Sequence, residues 1–154
     1  MKRSASLSPC RLYRYELWRV WGAGPFVMFI GLNPSTADET NDDPTIRRCV
    51  AFARAWGYSG LCMTNLFAFR ATDPSDMRAA KDPIGPLNDL TLQTVASTAS
   101  VVVAAWGAGG THLARDDQVR RAIPNLTYLR LTKDGHPGHP LYLPGNLLPR
   151  AWAI

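Results

Sequence analysis

Two polar side chains in loops, Asn33 and His139, are the strongest candidates for chemistry in this chain. Asn33 follows the hydrophobic run Pro25 to Gly31, which is typical of a fully buried strand. At the carboxyl end of such a strand it would lie where open α/β sheets place their ligands. His139 lies in a proline-rich loop, and Pro140 after it favours an extended backbone. An amide can hold a water molecule, and a neutral imidazole can donate a hydrogen bond to an oxygen on which charge develops.

Each of these residues also has a structural interpretation of similar weight. Asn-Pro is a common turn initiator, so Asn33 could simply cap a turn. An amide is not a base, so a site built on it also needs a carboxylate nearby. The candidates, each of which could instead be a cap or a solvated charge, are Asp38, Asp42 and Asp73. His136 and His139 could ligate a metal, but no third ligand is evident, so we predict no metal site and no cofactor.

Two further residues follow predicted strands. Arg70 comes after the run Leu61 to Phe67, where contact with a phosphate is chemically natural and a salt bridge to Asp73 or Asp76 is the alternative. Trp106 follows the run Val101 to Ala105, and its interpretations are contact with a ligand or core packing. The glycines after it lack the lysine of a P-loop, so a nucleotide-binding loop is the less favoured interpretation.

The elements that position these residues alternate between strands and helices. The predicted strands are Leu12 to Trp21, Pro25 to Gly31, Leu61 to Phe67, Val101 to Ala105 and Leu126 to Leu131. The predicted helices are Pro44 to Trp56 with Asp43 as its cap, Asn88 to Ala96 with Asn88 as its cap, and Thr111 to Ile123. The first two strands are predicted to form a hairpin that adds an antiparallel edge.

This alternation predicts a three-layer α/β/α sandwich with a central, mainly parallel four-stranded sheet and an N-terminal antiparallel edge strand. In a parallel sheet the loops after the strands meet at one edge. Residues far apart in the sequence are therefore expected to converge on one cleft.

The composition is that of an ordinary globular chain. Its 154 residues are 46% hydrophobic, which predicts one domain over 1–154 with a flexible, Ser-rich segment 1–10. No apolar run reaches the roughly 18 residues of a membrane helix and no signal peptide is evident, so we expect a cytoplasmic protein. The three cysteines form no Cys-x-x-Cys pair and are predicted to be reduced. Arginine outnumbers lysine 14 to 3, which favours a nucleic acid or nucleotide partner.

The segments that carry these residues resemble a bacterial and phage family, the domain of unknown function number sixteen-forty-three. The resemblance covers roughly residues 12 to 143. Its motifs are Gly31-Leu32-Asn33-Pro34-Ser35-Thr36-Ala37-Asp38, Asn41-Asp42-Asp43-Pro44-Thr45-Ile46-Arg47-Arg48-Cys49, Asn65-Leu66-Phe67-Ala68-Phe69-Arg70-Ala71-Thr72-Asp73-Pro74, Ala105-Trp106-Gly107 and Gly135-His136-Pro137-Gly138-His139-Pro140-Leu141-Tyr142-Leu143. This family implies no established function.

A looser resemblance reaches chemistry. Gly31-Leu32-Asn33-Pro34 is similar to the first motif of the mismatch-specific and thymine branches of the uracil-DNA glycosylase superfamily, whose Asn positions the attacking water. Thr64-Asn65-Leu66 with Arg70-Ala71-Thr72 is similar to their second-strand segment, and His139-Pro140-Leu141 to the start of their His-Pro-Ser-Pro-Leu-Ser loop. Two departures are Ser35 in place of Gly, and Leu141-Tyr142-Leu143 in place of Ser-Pro-Leu-Ser.

This second resemblance implies catalytic roles for Asn33 and His139 and a uracil-DNA-glycosylase-like fold. Together with the strand-end positions it predicts substrate contacts by Gly31, Leu32, Pro34, Ser35, Asn65, Arg70, Thr72, Trp106, His136 and Leu141. The expected function is binding of a nucleobase or nucleotide, more readily in DNA than in RNA, with hydrolysis of the N-glycosidic bond. The alternatives are a non-catalytic nucleic-acid-binding module and a hydrolase or transferase of free nucleosides or nucleotides.

Overall fold

A computed structural model describes residues 1–153, which form a mixed α/β structure with a seven-stranded sheet and four α-helices. The strands are β1 (Lys2–Leu7), β2 (Arg14–Val20), β3 (Phe26–Gly31), β4 (Gly60–Asn65), β5 (Val101–Ala104), β6 (Leu126–Tyr128) and β7 (Arg150–Ala151). The helices are α1 (Pro44–Ala55), α2 (Pro74–Ala79), α3 (Asn88–Thr98) and α4 (Arg115–Ala122), with 3-10 turns at Ala108–Ala114 and Pro140–Tyr142. The predicted mixed α/β class is confirmed.

The centre of the sheet is parallel and its margins are antiparallel. The strand order is β1-β2-β4-β3-β5-β6-β7, in which β4, β3, β5 and β6 run parallel to one another. The strands β1, β2 and β7 pair antiparallel. The carboxyl ends of β3, β4 and β5 therefore lie at one edge of the sheet.

The predicted hairpin between β2 and β3 is wrong. Both edges of β3 are occupied by β4 and β5, so β2 pairs with β4 instead. The backbone N–H groups of Trp21 and Gly22 both donate to the carbonyl of Ser59, which ties the end of β2 to the start of β4. The turn Gly22-Ala23-Gly24-Pro25 between them reverses the chain without pairing β2 with β3.

The segment 1–10, which the sequence predicts to be flexible, contains a strand. Residues Lys2–Leu7 form β1, whose register pairs Lys2 with Val20 and Ser6 with Glu16. Most of its residues are exposed, so backbone hydrogen bonds hold this edge strand more than apolar burial does. A serine-rich sequence carries little hydrophobic pattern from which such a strand could be predicted.

Helices cover both faces of the central sheet. On one face α1 packs against Val27 and Phe29, and its buried residues are Ile46, Cys49, Phe52 and Ala53. On the other face Met28 and Ile30 pack with residues of α3 and α4, namely Leu92, Val95 and Val119. Cys49 and Cys62 are buried free thiols and Cys10 is an exposed one. Strands buried on both faces explain the continuous apolar runs in the sequence.

Asp43 begins α1 as predicted, because its side chain accepts a 2.9 Å hydrogen bond from the N–H of Ile46 and Pro44 follows it. Asn88 does not cap α3. It is the first residue of that helix, and its side-chain amide donates to the carbonyls of Asn65 (2.9 Å) and Leu66 (3.0 Å). A residue expected to begin a helix thus fixes the end of β4.

The predicted helix Thr111 to Ile123 is broken. Leu113 and Ala114 have φ angles of 56° and 52°, which separate the 3-10 turn from α4. The Arg115 side chain is held by the carbonyl of Leu66 at 2.9 Å and by Asp89 at 2.7 Å. Tertiary contacts therefore override the helix propensity of these residues.

Candidate functional site

A cleft of about 380 Å³ opens at the carboxyl ends of β3, β4 and β5. It includes most of the residues predicted to form a site, namely Asn33, His139, Gly31, Leu32, Pro34, Ser35, Asn65, Thr72 and Leu141. The volume is at the lower end of the roughly 300–1,000 Å³ typical of small-molecule pockets. The convergence of strand-end loops thus gives a cleft that accommodates one small ligand.

Three of the predicted site residues do not line this cleft. Trp106 is buried and packs against Trp152, with 5.8 Å between ring centroids, as its packing interpretation requires. Within residues 1–153 Arg70 pairs with no carboxylate, and its Nη1 donates to the carbonyl of Arg11 at 3.3 Å. His136 closes a turn in which its backbone N–H donates to Oγ1 of Thr132 at 3.1 Å.

Asn33 connects the loops that follow β3 and β4. Its Nδ2 donates to the carbonyl of Ala71 at 2.8 Å and to that of Pro34 at 3.2 Å. The N–H of Ala71 in turn donates to the carbonyl of Pro34 at 2.9 Å. The amide nitrogen is therefore structural, as a turn-forming Asn would be, and Oδ1 is left as an acceptor for a water molecule or ligand.

Asn65 carries an unsatisfied donor in the wall of the cleft. The residue is only 4% exposed, and within the described residues its Nδ2 has no hydrogen-bond partner. Gly31 lies beside it, and a Cβ built there would be 2.8 Å from Oδ1 of Asn65. A buried amide without a partner is costly in free energy, and this one has a donor that a ligand in the cleft could satisfy.

His139 is held as a neutral donor. Its Nδ1 accepts a 3.2 Å hydrogen bond from the backbone N–H of Leu141, which places the proton of the neutral ring on Nε2. Burial lowers the pKa of His139 below its ordinary value, and the charge of Asp43 opposes that shift in part. At neutral pH the cleft therefore contains an imidazole that can donate through Nε2.

The position of His139 depends on contacts from α1 and the strand ends. Nη2 of Arg48 donates to the carbonyl of Leu143, just beyond the 3-10 turn Pro140–Tyr142. On the other side of His139, the N–H of Gly138 donates to the carbonyl of Arg130 at 2.8 Å. The loop is thus fixed on both sides of the imidazole.

The carboxylate in the cleft is Asp43, and none of the three predicted candidates lines it. Asp38 accepts from the backbone N–H groups of Thr40 and Asn41, and these hydrogen bonds lower its pKa to about 2. Asp42 forms a 2.7 Å ion pair with Arg19, and Asp73 caps α2 through the N–H of Ser75.

Asp43 combines capping with a place in the site. Its Oδ1 binds the N–H of Ile46, and the same residue lines the cleft. The sequence shows a helix start at Asp43-Pro44 soon after Asn33, and that spacing is the signal that could have placed this carboxylate at the strand ends.

Arg14 is a cleft residue that the sequence analysis missed. It is 2% exposed, its Nη1 donates to the carbonyl of Ala37 at 3.0 Å, and its Nε has no partner among residues 1–153. Burial lowers the pKa of the Arg14 guanidinium to about 10, so it stays charged at neutral pH. In the sequence Arg14 alternates with apolar residues, a pattern that usually leaves a charged side chain exposed, but in the fold its guanidinium binds the carbonyl of Ala37 and is buried.

No group of three or more His, Cys, Asp or Glu side chains in residues 1–153 is arranged to hold a metal ion. No helix in the same range is long and apolar enough to cross a membrane.

Comparison with known proteins places the chain in a family. A family model described as "Protein of unknown function (DUF1643)" matches residues 14–141. The chain belongs to this family. No curated protein and no solved structure matches it. The part shared with the DUF1643 family begins at Arg14 and ends at Leu141, so it contains every cleft residue except Tyr142.

Proposed function

We propose that this DUF1643 protein binds a nucleobase or nucleotide in the strand-end cleft and hydrolyses its N-glycosidic bond. The observation that carries the proposal is the buried, unpartnered amide of Asn65 in the same cleft as Asn33 and the neutral imidazole of His139. The looser motif similarity to uracil-DNA glycosylases supports it, as do a parallel strand centre and helices on both faces.

Recognition of a base fits the chemistry of Asn65. A side-chain amide offers a donor and an acceptor side by side, and a nucleobase edge presents the complementary pair. The Nδ2 of Asn65 would donate to a base carbonyl or ring nitrogen that replaces the missing partner. Asn88 holds the backbone carbonyl of Asn65, so the amide is presented from a fixed strand end.

The remaining polar groups would each have a separate role in hydrolysis. Oδ1 of Asn33 would hold a water molecule, and Asp43 would accept its proton as the water oxygen bonds to the anomeric carbon. The bond from that carbon to the base nitrogen breaks, and its electron pair leaves with the base. Nε2–H of His139 would donate to a base carbonyl as negative charge develops there.

The lining of the cleft favours a free nucleoside or nucleotide over a base in duplex DNA. Over the described range 1–153, Arg14 is the only Lys or Arg that lines it, so the lining itself forms no arginine track for a phosphate backbone. Exposed Leu141 and Tyr142 at its margin nevertheless provide apolar surface beside a base taken out of a strand. Both kinds of substrate belong in the test.

The test is release of free base from nucleosides, nucleotides and oligonucleotides that carry common and modified bases. Asn33→Ala and His139→Ala should each lower turnover by about a hundredfold to a thousandfold, because each removes one preorganised group. His136→Ala is the matched control, since His136 shares the loop but does not line the cleft, and it should retain turnover. Base release that is unchanged in Asn33→Ala would refute the assigned roles, and binding without any release would leave a non-catalytic binding module.

A further inference from the structure

The guanidinium of Arg14 is a buried charge without a counter-ion. Its nitrogen donors have one partner, the carbonyl of Ala37, and Nε has none within residues 1–153. In the same range no carboxylate lies within 4.0 Å of it, so it has no ion-pair partner. A buried charge is costly unless it is paired, so this arrangement is incomplete in the free protein.

The surroundings of Arg14 do not supply the missing charge. The charge of Asp43 acts on Arg14, but Asp43 lies beyond ion-pair distance and forms no hydrogen bond with the guanidinium. Arg70 and Arg19 also act on it and add positive charge, although Arg19 is paired with Asp42. Arg70 has an unpartnered buried Nε of its own. Positive charge is therefore in excess around Arg14.

We infer that Arg14 binds a phosphate group of the nucleotide ligand through its free guanidinium donors. The planar fork of arginine matches two phosphate oxygens, and a water-poor site strengthens such charge-assisted hydrogen bonds. This inference rests on the proposed function, because it assigns the phosphate of the same ligand whose base Asn65 would contact. It adds a recognition group on β2, outside the strand-end motifs.

The base and the phosphate of the ligand would then be held by different strands. Asn65 ends β4 and contacts the base, while Arg14 begins β2, the antiparallel neighbour of β4, and contacts the phosphate. A nucleoside would satisfy only the first contact, and inorganic phosphate only the second. The two contacts can therefore be measured independently.

The experiment is calorimetric titration with nucleosides, their 5′-monophosphates, a short single-stranded oligonucleotide and inorganic phosphate. Wild-type protein should bind a 5′-monophosphate about tenfold to a hundredfold more tightly than its nucleoside. In Arg14→Gln this advantage should disappear while nucleoside affinity is unchanged, and Arg14→Lys should keep only part of it. Arg130→Gln, which removes an exposed arginine, controls for net charge and should retain the advantage.

Two outcomes distinguish this inference from the proposed function. If nucleosides bind and a phosphate adds no affinity in wild-type protein, the role of Arg14 is wrong and base binding stands. If inorganic phosphate binds through Arg14 and no nucleoside or nucleotide does, the phosphate site stands and the proposed function fails. If the oligonucleotide binds more tightly than the monophosphate and this binding depends on Arg14, the phosphate belongs to a nucleic-acid strand. If the monophosphate binds more tightly, the phosphate belongs to a free nucleotide.

If the Arg14 variants do not fold, phosphate binding can still be tested on wild-type protein. Inorganic phosphate should then raise the thermal unfolding midpoint above that in sodium chloride of equal ionic strength. The absence of that rise would overturn the inference.

Discussion

Gly31 and Asn65 are paired residues at the ends of two neighbouring parallel strands, and the missing side chain of Gly31 leaves room for the amide of Asn65. A Cβ at Gly31 would lie 2.8 Å from Oδ1 of Asn65. This separation is below any normal contact between such atoms, so the amide would have to move. The Gly-Leu-Asn-Pro motif therefore needs a glycine at this position, because a larger residue would displace the amide that is proposed to contact the base.

Gly31→Ala should weaken ligand binding by displacing the Asn65 amide. We expect affinity for a nucleoside or nucleotide to fall about tenfold or more, because a hydrogen bond to the ligand is lost or distorted. Calorimetry measures the affinity and thermal unfolding checks the fold. Gly22→Ala is the control, since a Cβ there meets Ser59 at an ordinary 3.4 Å. Equal affinities for wild-type protein and Gly31→Ala would contradict the role of Asn65.

Asn33→Asp should be less stable than wild-type protein at neutral pH. The substituted oxygen would replace the Nδ2 that donates to the carbonyls of Ala71 and Pro34, and it would face oxygen acceptors instead. The charged form is disfavoured in the folded state, so the folded pKa of the new carboxyl is raised above the unfolded value near 3.9. The free energy of unfolding of the variant is then highest at low pH and falls as the pH rises through the folded pKa.

Denaturant unfolding at several pH values tests this sign. The free energy of unfolding of Asn33→Asp should approach that of wild-type protein on acidification. A deficit that grows on acidification would show that the amide nitrogen does not make these contacts.

His139 should titrate below its ordinary pKa of about 6.5, because burial disfavours the imidazolium. Because the folded pKa is depressed, neutral His139 contributes fully to the free energy of unfolding above the unfolded pKa. That contribution is lost as the pH falls through the folded pKa. Long-range proton–nitrogen NMR spectra give both the midpoint and the tautomer, and they should show a proton on Nε2. A midpoint above 6.5 or a proton on Nδ1 would contradict the contact with the N–H of Leu141.

Deletion of residues 1–7 should destabilise the fold, because it removes β1 and exposes the edge of β2. We expect the thermal unfolding midpoint to fall by several degrees, since about 1 kcal/mol corresponds to roughly 2–4 °C in a chain of this size. Hydrogen exchange should show faster exchange in Arg14–Val20 than in Phe26–Gly31, which keeps both neighbours. Equal exchange before and after deletion would mean that β1 contributes nothing to the sheet.

The periodicity of apolar residues predicted those strands and helices whose burial follows from their own residues. The continuous apolar run of β3 and the Asp43-Pro44 start of α1 carry their own signals, so both were predicted. The strand-end position of Asn33 followed from β3, and the cleft followed from the parallel alternation.

Contacts between distant segments could not be predicted in this way. The pairing of β2 with β4 depends on which edges of β3 are free, and β1 is held by backbone hydrogen bonds that leave no apolar pattern. The guanidinium of Arg14 is buried against Ala37, which lies 23 residues further along the chain, so the strand pattern around Arg14 could not place it in the cleft.

The proposed function depends most on the unpartnered amide of Asn65, and NMR of that side chain tests it directly. Nitrogen-15 spectra of the Asn65 amide, recorded during titration with nucleosides and 5′-monophosphates, report whether its Nδ2 gains a partner. The proposed function predicts a saturable shift of the Asn65 side-chain resonances for at least one nucleobase. The Asn88 side-chain resonances should stay nearly unmoved, because Asn88 already donates to two carbonyls. Asn65 resonances that stay unchanged with every nucleoside, nucleotide and oligonucleotide, in protein that remains folded, would contradict it.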